Sequence, residues 1–256
     1  MKIISLGWGV QSWTLAAMAA LGELEPVDVA LHADTGYEAT GTYGFAKRWK
    51  PWLAEHGVRV VTVANPFGDS PVDKWGGYFI PAFTFGRHGD GQLRRQCTNR
   101  WKIEPMRRWL QANRGGDHIQ QWIGISLDEQ HRAKPSDVKY ITHRWPLLEQ
   151  RMSRKDCKSW LLAQGLEVPP KSSCVFCPYH NRAAWRALRN ESADWQTALR
   201  FDEAIRDKRP PYPLFVHPAR VPLTEVDLRT PQERGQIEFD WEWETEDNCP
   251  MGVCGI

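Results

Sequence analysis

The chain has 256 residues, of which 41% are hydrophobic and 25% are charged. This composition excludes intrinsic disorder, a collagen-like repeat and a small disulfide scaffold, and no segment reaches the roughly 18–20 apolar residues of a membrane helix. Residues 221–256 carry two Arg against nine acidic residues, giving −7, whereas the rest carries 31 basic against 22 acidic residues, giving +9. The excess of basic residues in positions 1–220 favours an anionic ligand such as a nucleotide, a sulfate ester or nucleic acid. An ordinary solvated surface is the alternative.

Residues 1–150 predict alternating strands and helices. We expect strands at residues 2–5, 27–33, 58–63 and 119–125, and helices at residues 13–21, 40–56 and 102–113. This alternation indicates βαβ units, so the predicted fold class is α/β: a mostly parallel sheet sandwiched by helices, with a C-terminal extension. Residues 64–96 contain several Gly and Pro and predict a lid or binding loop. We assign residues 1–150 to a nucleotide-binding domain.

The second part of the chain predicts a helical region and a tail. Helices are expected at residues 153–164, 182–190 and 192–206, the first with Ser153 as its N-cap and Asp156 in its first turn. We divide this part into a helical region, 151–220, and an acidic tail, 221–256. Polar residues interrupt the apolar run at the N-terminus, so we expect a cytoplasmic chain without a signal peptide. Its six Cys are then metal ligands or redox thiols rather than disulfides.

The first motif is SLGWGVQS, residues 5–12, between a predicted strand and a helix. Gly7 and Gly9 would let backbone N–H groups approach an anion, and the helix start would add its dipole. The side chains of Ser5, Gln11 and Ser12 supply further polar groups. A tight turn without a ligand is the alternative.

The second motif is HADTGYE, residues 32–38, at the end of the second predicted strand. In an open parallel sheet, ligands bind at the carboxyl ends of the strands. Asp34, Thr35 and Gly36 would therefore lie beside the first motif, where a carboxylate can accept from a ribose or an amino group. A plain loop is again the alternative.

The order of the motifs resembles the phosphoadenosine phosphosulfate (PAPS) reductase branch of the PP-loop superfamily, whose fold is the adenine nucleotide α-hydrolase-like one. The resemblance spans residues 1–185. Its motifs are the two above, then QCTNRWKIEPM at 96–106, WIGISLDEQHR at 122–132 and CVFCP at 174–178. Many ATP-cleaving relatives have an Asp in the first loop, and its absence here resembles the PAPS reductase version.

The resemblance implies an adenine nucleotide, either PAPS, its 3′-dephosphorylated form (APS) or ATP with Mg²⁺. This nucleotide would lie across residues 5–12 and 34–36, next to Gly124. Lys102, in the Lys-x-x-Pro position, and Arg132 would hold its anionic end, and Lys102 is a candidate catalytic residue. The partners implied are this nucleotide and a thiol reductant such as a thioredoxin, while nucleic acid and a homo-oligomer stay open.

Four cysteines are candidate metal ligands. Cys174 and Cys177 lie three residues apart, a spacing that lets both thiolates reach one centre. Cluster-bearing relatives have adjacent Cys residues before the Lys, whereas this chain has Gln96 and Cys97, so Cys157 is the expected replacement. The resemblance favours a four-iron, four-sulfur (4Fe–4S) cluster, with structural zinc or metal-free thiols as alternatives.

The tail NCPMGVCGI, residues 248–256, resembles the C-terminal ending of these reductases, although their Glu and His are absent. Cys254 is then the candidate nucleophile that attacks the sulfur of a sulfonucleotide, and Cys249 could resolve it. Incidental tail cysteines or a second metal clip are the alternatives.

A basic segment surrounds Cys97 and includes two interleaved tryptophans, Trp101 and Trp109. Its cations are Arg87, Arg94, Arg95, Arg100, Lys102, Arg107 and Arg108. Such a segment could bind sulfate, phosphate or single-stranded nucleic acid, or it could be helix surface with core Trp. The function expected first is thiol-dependent sulfonucleotide reduction by an iron–sulfur enzyme. The alternatives are ATP-dependent sulfur transfer in DNA phosphorothioation or tRNA thiolation, and a non-enzymatic binding module with zinc.

Overall fold

The computed structural model describes residues 1–65, 79–86, 89–230 and 232–235. These residues form two compact units. The first unit contains residues 1–65 and 97–174. The second contains residues 79–86, 89–96, 175–230 and 232–235. Within these ranges, no helix has the length and apolar character that crossing a membrane requires.

The described residues form eight strands and seven α-helices. The strands are β1 (Lys2–Ser5), β2 (Val29–Asp34), β3 (Val60–Ala64), β4 (Phe83–Gly86), β5 (Gly89–Gln92), β6 (Ile119–Ile123), β7 (Ile141–Arg144) and β8 (Leu214–Phe215). The helices are α1 (Val10–Ala20), α2 (Thr40–Glu55), α3 (Glu104–Asn113), α4 (Pro146–Glu149), α5 (Arg154–Ala163), α6 (Arg182–Asn190) and α7 (Ser192–Ile205). A π-helical turn, Thr98–Ile103, precedes α3.

The first unit is built on a five-stranded sheet in the order β3-β2-β1-β6-β7, and every pair of neighbours is parallel. The predicted α/β class with a parallel sheet is therefore confirmed. The chain moves from β1 to β2 on one side and returns with β6 on the other. The strand order thus reverses between β1 and β6, and such a switch point opens a crevice at the carboxyl ends of the strands.

Both faces of this sheet are covered by apolar side chains. One face packs residues of α1, α2 and α5, with Trp13, Phe45 and Trp122 fully buried. The other face packs Met106 and Leu110 of α3 against β1, β2, β6 and β7. Several tryptophans are buried, among them Trp8, Trp13, Trp101 and Trp122 in this unit.

Helix α5 begins where the sequence predicts. The Ser153 hydroxyl accepts from the Asp156 backbone N–H at 3.2 Å, and the Asp156 carboxylate accepts from the Ser153 N–H at 2.8 Å. This reciprocal capping box satisfies two N–H groups that a helix start otherwise leaves without partners. The predicted N-cap is therefore confirmed.

The second unit contains a three-stranded antiparallel sheet in the order β5-β4-β8, together with α6 and α7. Part of the segment predicted to be irregular, residues 64–96, is therefore the β4–β5 hairpin. The buried Asp202 of α7 accepts from the backbone N–H groups of Val216 at 2.9 Å and Leu223 at 3.0 Å, and it pairs with Arg206. One carboxylate thereby fixes the segment that follows α7.

Candidate nucleotide and thiol site

The loop between β1 and α1 ends in a helix start without a side-chain cap. Gly9 is the N-cap, and the first turn of α1 contains no acidic residue. The Gly7 N–H donates to the Ser12 hydroxyl at 3.1 Å, and this hydroxyl donates to the Gly9 carbonyl at 3.2 Å. An uncapped helix N-terminus carries partial positive charge and N–H donors, which are the features that bind phosphate or sulfate.

Ser5 and Gly124 connect this loop to β6. The Ser5 hydroxyl accepts from the Gln121 amide of β6 at 2.7 Å. Gly124 follows β6 and lies against the first turn of α1 at Gln11 and Ser12. The loop and the end of β6 are thus brought together at the switch point, as the motifs predict.

A polar network holds the buried side chain of Gln11. Its amide nitrogen donates to the Ser126 hydroxyl at 3.3 Å and to the Glu129 carboxylate at 3.2 Å. Its amide oxygen accepts from the Arg154 guanidinium at 2.8 Å. Arg132 pairs with Glu129 at 2.7 Å. Gln11 and Arg132 therefore lie in one network, and the predicted anion contact of Arg132 is not tested by this arrangement.

Asp34 ends β2 and is engaged by its own loop. Its carboxylate accepts from the Gly36 N–H at 2.8 Å and from the Tyr43 hydroxyl at 2.7 Å. Burial, followed by the hydrogen bond to Asp34, raises the pKa of Tyr43, so this hydroxyl stays a donor. Gly36 has φ of +79°, a conformation that a side chain would strain. Asp34 therefore stabilises the conformation of this loop through hydrogen bonds with Gly36 and Tyr43.

Lys102 and Glu38 form a buried pair beside the loop after β2. The Lys102 ammonium lies 3.3 Å from the Glu38 carboxylate, and the side chains are 19% and 2% exposed. Burial alone would lower the pKa of Lys102, but the charge of Glu38 and its hydrogen bond outweigh this effect and raise that pKa. Lys102 therefore carries a stable positive charge next to two thiols.

Cys174 belongs to the same cluster. Its sulfur lies 3.4 Å from the Thr35 hydroxyl, and its backbone forms an isolated antiparallel bridge with Glu38. Burial and the charge of Glu38 raise the pKa of the Cys174 thiol to about 12, although Lys102 opposes this shift. Without a metal, Cys174 is thus a neutral thiol at physiological pH.

The predicted four-cysteine set is only partly brought together. Cys97 precedes the π-helical turn and belongs, like Cys174 and Lys102, to the first unit. Cys177 belongs to the second unit, where its carbonyl accepts from the His180 N–H at 3.0 Å. Cys157 lies in the apolar core on α5, and burial raises its pKa to about 12.

Cys157 packs among apolar side chains of α1, α2 and α5 and the sheet, and its role as a metal ligand stays a prediction. Among the residues that the structure describes, no three Cys, His, Asp or Glu side chains are grouped to hold a metal ion. Whether Cys97, Cys174 and Cys177 hold iron–sulfur or zinc stays a prediction. Cys249 and Cys254 lie outside the described residues.

The basic segment is largely neutralised by acidic partners. Arg100 and Arg108 pair with Glu104 at 2.7 and 3.8 Å, and Arg107 pairs with Asp137. Trp101 is buried, and the partly buried Trp109 of α3 packs against the core on that face of the sheet. These two tryptophans therefore serve the core, which is one of the two alternatives predicted. Arg87 lies outside the described residues.

Three residues of this site were missed by sequence reasoning. Glu38 closes the HADTGYE motif, and its proximity to a predicted ligand loop could have identified it. Ser172 lies two residues before Cys174, and its hydroxyl reaches the first loop. Arg154 carried no sequence signal, because only the packing of α5 brings it to Gln11.

No family model and no curated protein matches this chain. Among solved structures, the chain is similar to the phosphoadenylyl-sulfate (PAPS) reductase of Candida auris in its phosphate complex. The identity is 12% and the TM-score is 0.45, over 66% of this chain and 74% of that chain. The fold itself follows from the strand order and the parallel pairing described above. The chain is thus an α/β protein whose first unit is built on a parallel five-stranded sheet.

Proposed function

We propose that this chain binds an adenine nucleotide by its phosphate or phosphosulfate end and acts on the sulfur of that nucleotide. The observation that carries the proposal is the uncapped N-terminus of α1 behind Gly7 and Gly9, at the carboxyl edge of a parallel sheet. An anion at this position receives backbone N–H groups and the helix dipole together. A dianionic or phosphosulfate group is the chemistry that this edge would recognise.

A small pocket lies beside this loop. It lies between the ends of β1 and β2 and is lined by Ser5, Leu6, Gly7, Leu31, His32, Ala33, Glu38, Lys102 and Met106. Its volume of about 10 Å³ has room for a water molecule and not for a base or a sugar, so the pocket marks only the polar edge beside the loop. The Lys102 cation and the Cys174 thiol border the same edge, where the sulfur group would lie.

The reaction proposed is thiol-dependent reduction of a sulfonucleotide. The Cys254 thiolate attacks the sulfur, an S–S bond forms, and the S–O bond to the nucleotide breaks with the electron pair on the departing phosphate oxygen. A second thiol, from Cys249 or a thioredoxin-type reductant, then attacks the Cys254 sulfur and releases sulfite as a disulfide forms. This role of Cys254 rests on the resemblance of the CGI ending. A metal centre that includes Cys97 and Cys174 would hold two thiolates close to the substrate.

Calorimetric titration of the purified full chain with PAPS, APS and ATP–Mg²⁺ tests the binding. The variant Gly9→Asp places a carboxylate at the anion site and is expected to abolish binding, whereas Gly44→Asp on exposed α2 surface should leave the affinity unchanged. If no nucleotide binds the wild-type chain, the proposal is wrong.

Sulfite release with thioredoxin or dithiothreitol tests the reaction. The variant Cys254→Ser should release no sulfite but should still bind PAPS. Unchanged release would remove Cys254 from the mechanism. Pyrophosphate release from ATP stimulated by DNA or RNA would instead support nucleic-acid modification. Iron, acid-labile sulfide and zinc contents of anaerobically purified protein would separate the three metal alternatives.

A further inference from the structure

Ser172 joins the first loop to the segment that contains Cys174. Its hydroxyl donates to the Gly7 carbonyl at 2.5 Å and also lies 3.4 Å from the Glu38 carboxylate. Its Cβ would be 3.7 Å from a Cβ built on Gly9. Ser172 therefore packs directly against the backbone that would receive the anion.

The same short segment fixes Cys174. The backbones of Glu38 and Cys174 form an isolated antiparallel bridge, and the Thr35 hydroxyl contacts the Cys174 sulfur. Glu38 also holds Lys102. A displacement of Ser172 relative to Gly7 would consequently shift Cys174, which lies two residues away, and Glu38.

One hydroxyl proton can be donated to one acceptor at a time. The Ser172 hydroxyl thus has two alternative arrangements: it donates either to the Gly7 carbonyl or to the Glu38 carboxylate. The described structure favours Gly7, since 2.5 Å is far shorter than 3.4 Å. An anion that draws the loop N–H groups toward itself repels the Gly7 carbonyl, which favours donation to Glu38. A group with two arrangements that a ligand biases is the physical requirement for coupling between two sites.

We infer that Ser172 is a positioning residue that couples occupancy of the first loop to the placement of Cys174. The inference rests on the proposed nucleotide binding and deepens it, because it states how the bound nucleotide would reach the thiol. An anion bound at the first loop would then change the position of the Cys174 thiol.

Hydrogen–deuterium exchange of the full chain, with and without PAPS or ATP–Mg²⁺, tests this coupling. In the wild type, nucleotide should change the amide exchange rates of peptides covering residues 6–12 and also of peptides covering residues 172–174, the latter by about fivefold or more. In Ser172→Ala, the change at residues 6–12 should persist, and the change at residues 172–174 should fall below twofold. Ser173→Ala is the matched control, because Ser173 takes no part in these contacts, and it should behave like the wild type.

The outcomes separate the two proposals. If no nucleotide alters residues 6–12, the proposed function fails. If residues 6–12 respond but residues 172–174 do not, or if Ser172→Ala keeps the response at residues 172–174, the coupling through Ser172 is wrong and nucleotide binding stands. The wild-type arm decides the first question even if the Ser172 variant folds poorly.

Discussion

Gly124 lies directly against the backbone of Ser12. A Cβ at position 124 would stand 2.8 Å from the Ser12 nitrogen and 2.9 Å from the Gln11 carbonyl carbon. Real Cβ atoms do not approach backbone this closely, so only glycine lets the end of β6 contact the first turn of α1. Gly124 is thus required for the contact between β6 and α1, and its role in nucleotide binding stays a prediction.

The variant Gly124→Ala should displace the start of α1. We expect a loss of about 1–3 kcal/mol in the free energy of unfolding and at least a tenfold loss of nucleotide affinity, measured by urea denaturation and calorimetric titration. Gly44→Ala is the control, because Gly44 lies in α2 with open space at its Cβ position. This control should gain up to about 1 kcal/mol. Equal effects of the two variants would contradict the packing argument.

Removing the cation of the buried pair should be costly. Lys102→Met leaves the Glu38 carboxylate buried without its ammonium, and we expect a loss of about 2–4 kcal/mol in the free energy of unfolding. Arg48→Met is the matched control, because Arg48 and Glu167 form an exposed pair with side chains 61% and 45% exposed. That variant should lose less than about 1 kcal/mol. A Lys102 variant as stable as the Arg48 variant would show that the pair is solvated.

Asp202 should be essential to the second unit. Asp202→Asn removes the charge that pairs with Arg206 and one of the acceptors that receive Val216 and Leu223. We expect a loss of about 2–4 kcal/mol in unfolding free energy by chemical denaturation. Asp207→Asn, on an exposed residue just after α7, should change it by less than about 0.5 kcal/mol. A small loss at both positions would refute the role of Asp202.

His217 should make stability depend on pH. Burial, then the Arg182 cation, lower its pKa to about 4 despite the opposing charge of Asp202, and its Nδ1 accepts from the Ala219 N–H at 3.1 Å. The unfolded chain, with a pKa near 6.5, therefore binds more protons between pH 6.5 and 4. This contribution to stability is fully present above pH 6.5 and is lost as the pH falls toward 4.

Urea denaturation at pH 7.5 and pH 4.5 measures this effect. His217→Asn keeps a side-chain acceptor but cannot be protonated in this range, so the difference in stability between the two pH values should be smaller than in the wild type. His131→Asn, on an exposed position, is the control and should keep the wild-type difference. Identical pH dependence in all three proteins would contradict the prediction.

The strands with several buried apolar residues were predictable from the sequence, and the mostly polar strands were not. The strand at residues 2–5 was predicted with the observed bounds, because an apolar run ends there at a glycine loop. In contrast, β7 was missed: Ile141–Arg144 has a single buried residue, so its pairing with β6 and not its sequence makes it a strand. The β4–β5 hairpin was hidden for a similar reason, since GDGQ has no apolar side chain.

The candidate site was predictable as far as it follows strand ends. Ser5 and Asp34 end β1 and β2, and Gly124 follows β6. These strands are neighbours, and parallel strands bring their ends to one edge of the sheet. Cys157 could not be placed from spacing, because the apolar face of α5 decides that its thiol enters the core. The contact of Ser172 with Gly7 joins residues 165 positions apart and left no local pattern.

The geometry of Trp8 has a consequence for how a ligand would be received. Trp8 adopts φ of +56°, which costs a bulky residue about 1–2 kcal/mol, and its indole is buried among Trp13, His32 and Phe45. Core packing therefore sets the turn during folding, before any anion arrives. Under the proposed function, anion binding would need little ordering of this loop, so the entropy loss on association would be small.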